Sequence, residues 1–256
     1  MDSKGTYVFD MQSSEMMYLP VNQLHSRARS LLDRFKQGRG TGWINQAIAL
    51  DRKALEPCQP GHPMRSVSLT QLASHVGSRY DLRGATRDAE EAVVLDREAL
   101  DLCPQGHPDR STSAINLGNH LSTRYKRLGA MQDLDEAIVL AREALALDLR
   151  PQGYHYRPMS LMNLAVYLST RYKPLGAMQD LDEAIVLNRE ALDLFLQEHP
   201  DRSTSLNNLA ADLSTWHKQL GEMQDFDEAI ALGREALDLR PQGHPDRSGS
   251  LDNLAT

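Results

Sequence analysis

The chain has 256 residues, 41% of them hydrophobic and 25% charged, and 28 Lys and Arg set against 35 Asp and Glu give a formal net charge of −7. That mixture is the one expected of a soluble globular protein. It contains no run of about 18 apolar residues that could span a bilayer. The start, Met1-Asp2-Ser3-Lys4-Gly5, lacks the basic and then apolar pattern of a secretory signal. The acidic balance disfavours a binder of nucleic-acid phosphates, and two cysteines are too few for a disulfide scaffold, which points to a reducing, cytoplasmic interior.

Residues 1–16 do not repeat; Tyr7-Val8-Phe9 with Met16-Met17-Tyr18 either cover the first repeat or belong to a disordered tail. From about residue 17 the chain copies itself. The run from Gly129 to Leu140 recurs letter for letter from Gly176 to Leu187. One alanine returns as Ala47, Ala92, Ala137, Ala184 and Ala229, at spacings of 45, 45, 47 and 45 residues. The longer spacing comes from an extra pair near Ala146-Leu147. A second small position returns as Ala28, Ala73, Gly118, Ala165, Ala210 and Ala255. Those anchors define five repeats, about 17–61, 62–106, 107–153, 154–198 and 199–243, and a half repeat, 244–256.

Each repeat reads as two helices. In the fifth, Leu206, Leu209, Ala210, Leu213 and Leu220 fall on one helical stripe, which His217 interrupts where earlier repeats carry Tyr80, Tyr125 and Tyr172. Pro200-Asp201 signals a start and Gly221 a stop. The second helix opens at Asp225-Phe226-Asp227-Glu228, read as an acidic cap; Asp88…Glu91, Asp133…Glu136 and Asp180…Glu183 repeat the device. Ile230, Leu232, Ala236, Leu237 and Leu239 carry its apolar face, and Pro241-Gln242-Gly243 breaks it. Pro174, near the end of a first helix, should kink or shorten that helix. No stretch alternates as a strand would.

These residues resemble the tetratricopeptide repeat, whose usual unit is about 34 residues. Ala210 meets the small contact position, Ala229 and Ala236 the alanine pair of the second helix, and Pro241 and Pro104 the proline after it. His199-Pro200-Asp201 followed by Leu206-Asn207-Asn208-Leu209-Ala210 looks like the kinesin light chain type of this repeat. The departure is length. Ala210 to Ala229 is 19 residues, and the extra turns are read as a lengthened first helix. The resemblance implies an all-α, right-handed α-solenoid of stacked antiparallel helix pairs, with a concave groove lined by first helices. The last repeat stops at Thr256, halfway through a first helix, which suggests a fragment of a longer array or an uncapped end that meets a partner or a second copy.

The same resemblance places Gln71, Asn116, Asn163, Asn208 and Asn253 on the groove floor, where an amide offers a donor and an acceptor to a peptide backbone. Such an amide could equally bond the neighbouring helix. Ser122/Thr123, Ser169/Thr170 and Ser214/Thr215 flank the row, and Lys126, Lys173 and Lys218 stand a turn further on, so a guest bearing carboxylates suits the face. The plainer reading of those lysines is a solvated helix face favoured by the dipole. Arg124, Lys126 and Arg127 face Asp133, Asp135 and Glu136, which predicts exposed ion pairs along one rim.

His62, His107, His199 and His244 lie in successive layers, too far apart to share a metal; each is better read as fixing its own loop. Cys58 and Cys103, 45 residues apart, cannot bridge. No nucleophile with a base suggests itself, and Gly38-Arg39-Gly40-Thr41-Gly42 lacks the rest of a phosphate loop. The expectation is therefore a scaffold with no catalytic residue, metal or cofactor, which holds a protein or peptide partner. The alternative is a regulatory or oligomerisation arm of a larger enzyme, such as a protease or a nucleotide-driven switch, whose catalytic part lies outside this chain.

Overall fold

The computed structural model describes residues 20–38, 42–147, 157–196, 199–221, 223–244 and 246–254, and every regular element among them is an α-helix. The segment Tyr7-Val8-Phe9, the residues Met16-Met17-Tyr18 and the last small position, Ala255, lie outside the described residues. Two compact bodies divide the chain, residues 1–102 and 103–256.

The first body holds α1 (Val21–Lys36), α2 (Gly42–Leu55), α3 (Arg65–Arg83) and α4 (Thr86–Asp101). Here α1 packs on α2, α2 on α3 and α3 on α4. The second holds α5 (Arg110–Leu128), α6 (Met131–Leu147), α7 (Arg157–Leu175), α8 (Met178–Leu194), α9 (Arg202–Leu220), α10 (Met223–Asp238) and α11 (Arg247–Leu254). It too stacks helix against next helix, from α5 through α11. The recurring alanines make this stacking possible. Ala47, Ala54, Ala92 and Ala99 in the first body are fully enclosed, as are Ala137, Ala144, Ala184 and Ala191 in the second. A methyl at each crossing lets the backbones approach, and the larger side chains beside it fill the gap. Leu72 and Val76 meet Ile44, Ile48 and Ala92 in one cluster; Leu209 and Leu213 meet Tyr172, Leu181, Ile185 and Ala229 in another.

In the second body the turn inside α5–α6, α7–α8 and α9–α10 is two residues long and begins with a glycine: Gly129 (φ 71°), Gly176 (φ 65°) and Gly221 (φ 78°) donate to the carbonyls of Tyr125, Tyr172 and His217 at 2.7–2.8 Å. That left-handed conformation is one other residues adopt at a cost. So short a turn sets the last coil of the first helix beside the first coil of the second.

Three sequence expectations are corrected here. The acidic residues do not cap the second helices. Those helices begin at Thr86, Met131 and Met178, two residues earlier, and Ala85 and Ala177, at the cap positions, make no side-chain cap bond. Asp88, Asp133 and Asp180 instead sit in the first turn, where the helix dipole favours an anion, and each takes a two-pronged bond from the preceding helix. Arg79 reaches Asp88 at 2.8 and 2.7 Å, Arg124 reaches Asp133 at 2.7 and 2.6 Å, and Arg171 reaches Asp180 at 2.8 Å twice. Nor are these pairs exposed. The aspartate side chains are only 8%, 9% and 10% accessible, because the two-residue turn folds them against the helix that bears the arginine. Pro174 does not shorten its helix. With 19 residues α7 matches α3, α5 and α9, since the proline stands next to the last residue and few helical bonds remain for it to break.

Between pairs, the histidines fasten the loops. The Nδ1 of His62, His107, His199 and His244 accepts the backbone N–H two residues on, at 3.1–3.2 Å. The arginine that comes next ties the loop to its own pair: Arg65 and Arg110 donate to the carbonyls of Cys58 and Cys103 at 2.6 Å and pair with Glu98 and Glu143. Both cysteines are buried and unbridged.

Candidate binding face

In the second body the first helices touch one another directly, α5 with α7, α7 with α9 and α9 with α11. Among the described residues no comparable contact joins α6 with α8 or α8 with α10. Helices that crowd together on one side and spread on the other put the first helices on the inner side of the bend.

The amide row lies on the first helices as the repeat spacing demands, but its members are in different states. Gln71 of α3, in the first body, donates to the His25 carbonyl at 3.0 Å and to Asp51 Oδ1 at 3.2 Å, so its nitrogen is committed to the neighbouring layer. In the second body Asn116, Asn163, Asn208 and Asn253 are all half-buried. The Nδ2 of Asn163 is enclosed without a hydrogen-bond partner, as is the Oδ1 of Asn207, while Asn253 is engaged. Lys126, Lys173 and Lys218 are exposed, one at the end of each first helix. The neighbouring hydroxyls turn inward: Ser169, Thr170 and Thr215 bond the carbonyls four residues back, at 3.0, 2.6 and 2.8 Å.

The most informative site is one that the repeat pattern does not reveal. At one pair of equivalent positions the copies disagree. The second helices carry Asp51, Asp96, Ala141, Asn188 and Gly233, and the first helices after them carry His75, His120, Tyr167 and Asp212. In the first body Asp51 is fully enclosed. Its Oδ1 accepts from His25 Nδ1 and Gln71 Nε2, each at 3.2 Å, and its Oδ2 pairs with His75 Nδ1. His25 Nε2 lies 2.9 Å from the Ser68 hydroxyl. Ser68, His25 and Asp51 thus stand in the order of a hydrolytic relay, yet none is more than 1% exposed, so no substrate bond reaches Ser68. The cluster clamps α1, α2 and α3 together. Burial alone would raise the Asp51 carboxyl, but the bonds and charges of His25 and His75 outweigh it and hold the group below its ordinary range.

In the second body, Ala141 and Gly118 leave room for Tyr167, whose hydroxyl donates to Asn119 Oδ1 at 2.7 Å. Burial drives that phenol far above its usual range. One layer on, Asn188 Nδ2 donates to Asp212 Oδ2 at 2.8 Å. Burial pushes the Asp212 carboxyl up to about 6, against a smaller opposite pull from Ser169, Asn188 and Lys173. The signal for all of these was present as non-identical letters in otherwise copied repeats. Among the described residues, no group of three His, Cys, Asp or Glu side chains could hold a metal, and no helix is long and apolar enough to cross a membrane.

Residues 159–201 match the family model of the tetratricopeptide repeat. The chain has the fold of a tetratricopeptide-repeat solenoid of the kinesin light chain-like kind. It is similar to the nearly identical TPR-like repeats of a kinesin light chain candidate from Podosopora anserina, with a TM-score of 0.53 and 19% identity over 83% of this chain and 95% of that one. It is similar also to BtubC (BKLC) from P. vanneervenii, with a TM-score of 0.56 and 21% identity over 82% of this chain and 81% of that one. No curated protein matches at a significant level.

Proposed function

We propose that the chain is a non-enzymatic scaffold for protein–protein interaction, and that the first-helix face of the second body holds an extended segment bearing carboxylates. Stacked helix pairs bind through long surfaces on their inner side. The observation that carries the finer reading is the row of half-buried Asn116, Asn163 and Asn208, one on each of α5, α7 and α9. A side-chain amide offers a donor and an acceptor to a peptide backbone without reading its side chains. Lys173 on the same helix, with Lys126 and Lys218 on its neighbours, adds positive charge at a regular interval. Two buried, unbridged thiols suit a reducing cytoplasm.

The test is a display selection of acidic peptides against the whole chain, followed by affinity measurement on two variants. Replacing Lys126, Lys173 and Lys218 together by Gln should weaken binding at least tenfold and flatten its salt dependence; replacing Asn116, Asn163 and Asn208 by Ala should weaken every selected peptide regardless of its side chains. Peptides that bind both variants as tightly as the parent would sink the proposal.

A further inference from the structure

The contact between Asn188 of α8 and Asp212 of α9 is incomplete in an informative way. Asn188 is fully enclosed and Asp212 is 7% exposed. The amide nitrogen donates to Asp212 Oδ2 at 2.8 Å, but the amide oxygen of Asn188 is buried with no donor. A carboxylate cannot help it, being an acceptor at both oxygens; a carboxylic acid can, because it carries one O–H. Acid and amide side by side then make two antiparallel bonds, N–H to C=O and O–H to C=O, and every buried atom of the pair is satisfied.

The other neighbours offset only part of the cost of burying an anion here. Ser169 of α7 has a single proton and its oxygen lies 3.0 Å from the Ala165 carbonyl, a competing acceptor. Among the described residues, Lys173 of α7 is the one charged side chain acting on Asp212; α10 and α11, also packed on α9, contribute none. We propose that Asp212 and Asn188 form a proton-operated clasp between α8 and α9, closed by two bonds when Asp212 donates its O–H to Asn188 Oδ1 and loosened to the amide N–H bond alone when that proton leaves to water. The cost of burying the charge, which lifts the carboxyl to about 6, agrees with it. Protonation also frees Lys173 from its internal counter-charge. If the binding reading above holds, the face then takes an anionic guest more tightly in mild acid.

The test uses the whole chain and Asp212→Asn, which keeps the shape and replaces the acid–amide pair with an amide–amide pair that holds at any pH. For a carboxyl raised on folding, stability is greatest below the ordinary carboxylate range and falls as pH rises towards 6. From pH 5 to 7.5 the parent's folding equilibrium should therefore drop about tenfold relative to the variant. The comparison cancels the histidines, which both proteins share. Should the variant fold poorly, the 13C carboxyl resonance of Asp212 in the parent reads the same event, with a midpoint near 6 expected. Parallel stability profiles, or a midpoint near 4, overturn the clasp. A hexaglutamate probe should bind the parent more tightly at pH 5.5 than at 7.5 and the variant equally at both. A titrating clasp with no capture of hexaglutamate by either protein upholds the clasp and overturns the binding reading.

Discussion

Asp51→Ala is the sharpest test of how the first body is held. Three donors converge on this fully enclosed carboxylate: His25 Nδ1 and Gln71 Nε2 at 3.2 Å, and His75 Nδ1. Alanine leaves all three donors facing a fully enclosed site. Removing one partner of a buried charged cluster costs about 3–5 kcal/mol, and the three stranded donors put this case at the upper end. With a denaturant slope of about 2 kcal/mol per molar urea, the midpoint should fall by roughly 2 M. Trp43 lies in α2 of the first body and Trp216 in α9 of the second, so fluorescence in a Trp216→Phe background reports the first body alone. Asp51→Asn restores one acceptor but sets an N–H against a second donor, and should fall between. Because Asp51 is held below its ordinary range, its contribution is fully present above the unfolded carboxylate value near 3.8 and is lost as pH drops beneath it. A midpoint shift under about 0.5 M at pH 7 would refute the clamp, since even a single charge-assisted bond is worth more than that.

The packing yields two further outcomes. A β-carbon at Gly118 would lie 3.1 Å from the Tyr167 hydroxyl and 3.3 Å from its ring, so Gly118→Ala should destabilise by about 1 kcal/mol, overpacking outweighing the better helix propensity. In a Tyr167→Phe background the closest contact is gone and the same change should become neutral or stabilising; an unchanged sign in a double-mutant cycle by urea denaturation would defeat this account. Arg171→Ala strands the nearly buried Asp180 and should cost about 2 kcal/mol, whereas Arg189→Ala breaks a pair with Glu228 that is 46% and 34% exposed and should cost under about 1 kcal/mol. Thermal melts at low and at molar salt should show the second loss vanish and the first persist; equal losses would contradict the difference in burial.

The helix pairs, the buried alanines and the glycine turns were legible because each is a local or periodic property, repeated until coincidence is excluded. The histidine loops were legible for the same reason. What periodicity could not show was depth. Arg124 and Asp133 read as rim charges because both are polar and near a turn; only the packing of one helix on the next reveals a nearly buried pair. The acidic run read as a cap because Asp precedes Glu by three residues, but Met131 and Gln132 before it extend the helix by two residues. Gln71 shows the limit in the amide row. Its place in the amide row is a matter of spacing, while the loss of its donor to Asp51 depends on a residue 20 positions away on another helix.

The positions that break the repeat bear on how the array keeps its order. Copies alike to the letter, as in Gly129–Leu140 and Gly176–Leu187, give any layer the same alanine face to pack on, and nothing in such a face distinguishes one neighbour from another. The variable pair does. Tyr167 fits where Gly118 and Ala141 leave space, and against Asn188 it would meet an enclosed amide and a filled volume. Asp212 matches that amide, and against Ala141 it would be a buried carboxyl without a donor. Each key thus penalises a slipped pairing by a clash or by an unbonded polar group, at about 1–3 kcal/mol per fault. Buried polar groups that fix register at some expense of stability are a known solution in coiled coils, where identical strands face the same ambiguity. In this chain the apolar periodicity builds the stack, and the few enclosed polar residues that depart from it fit particular neighbours to each other.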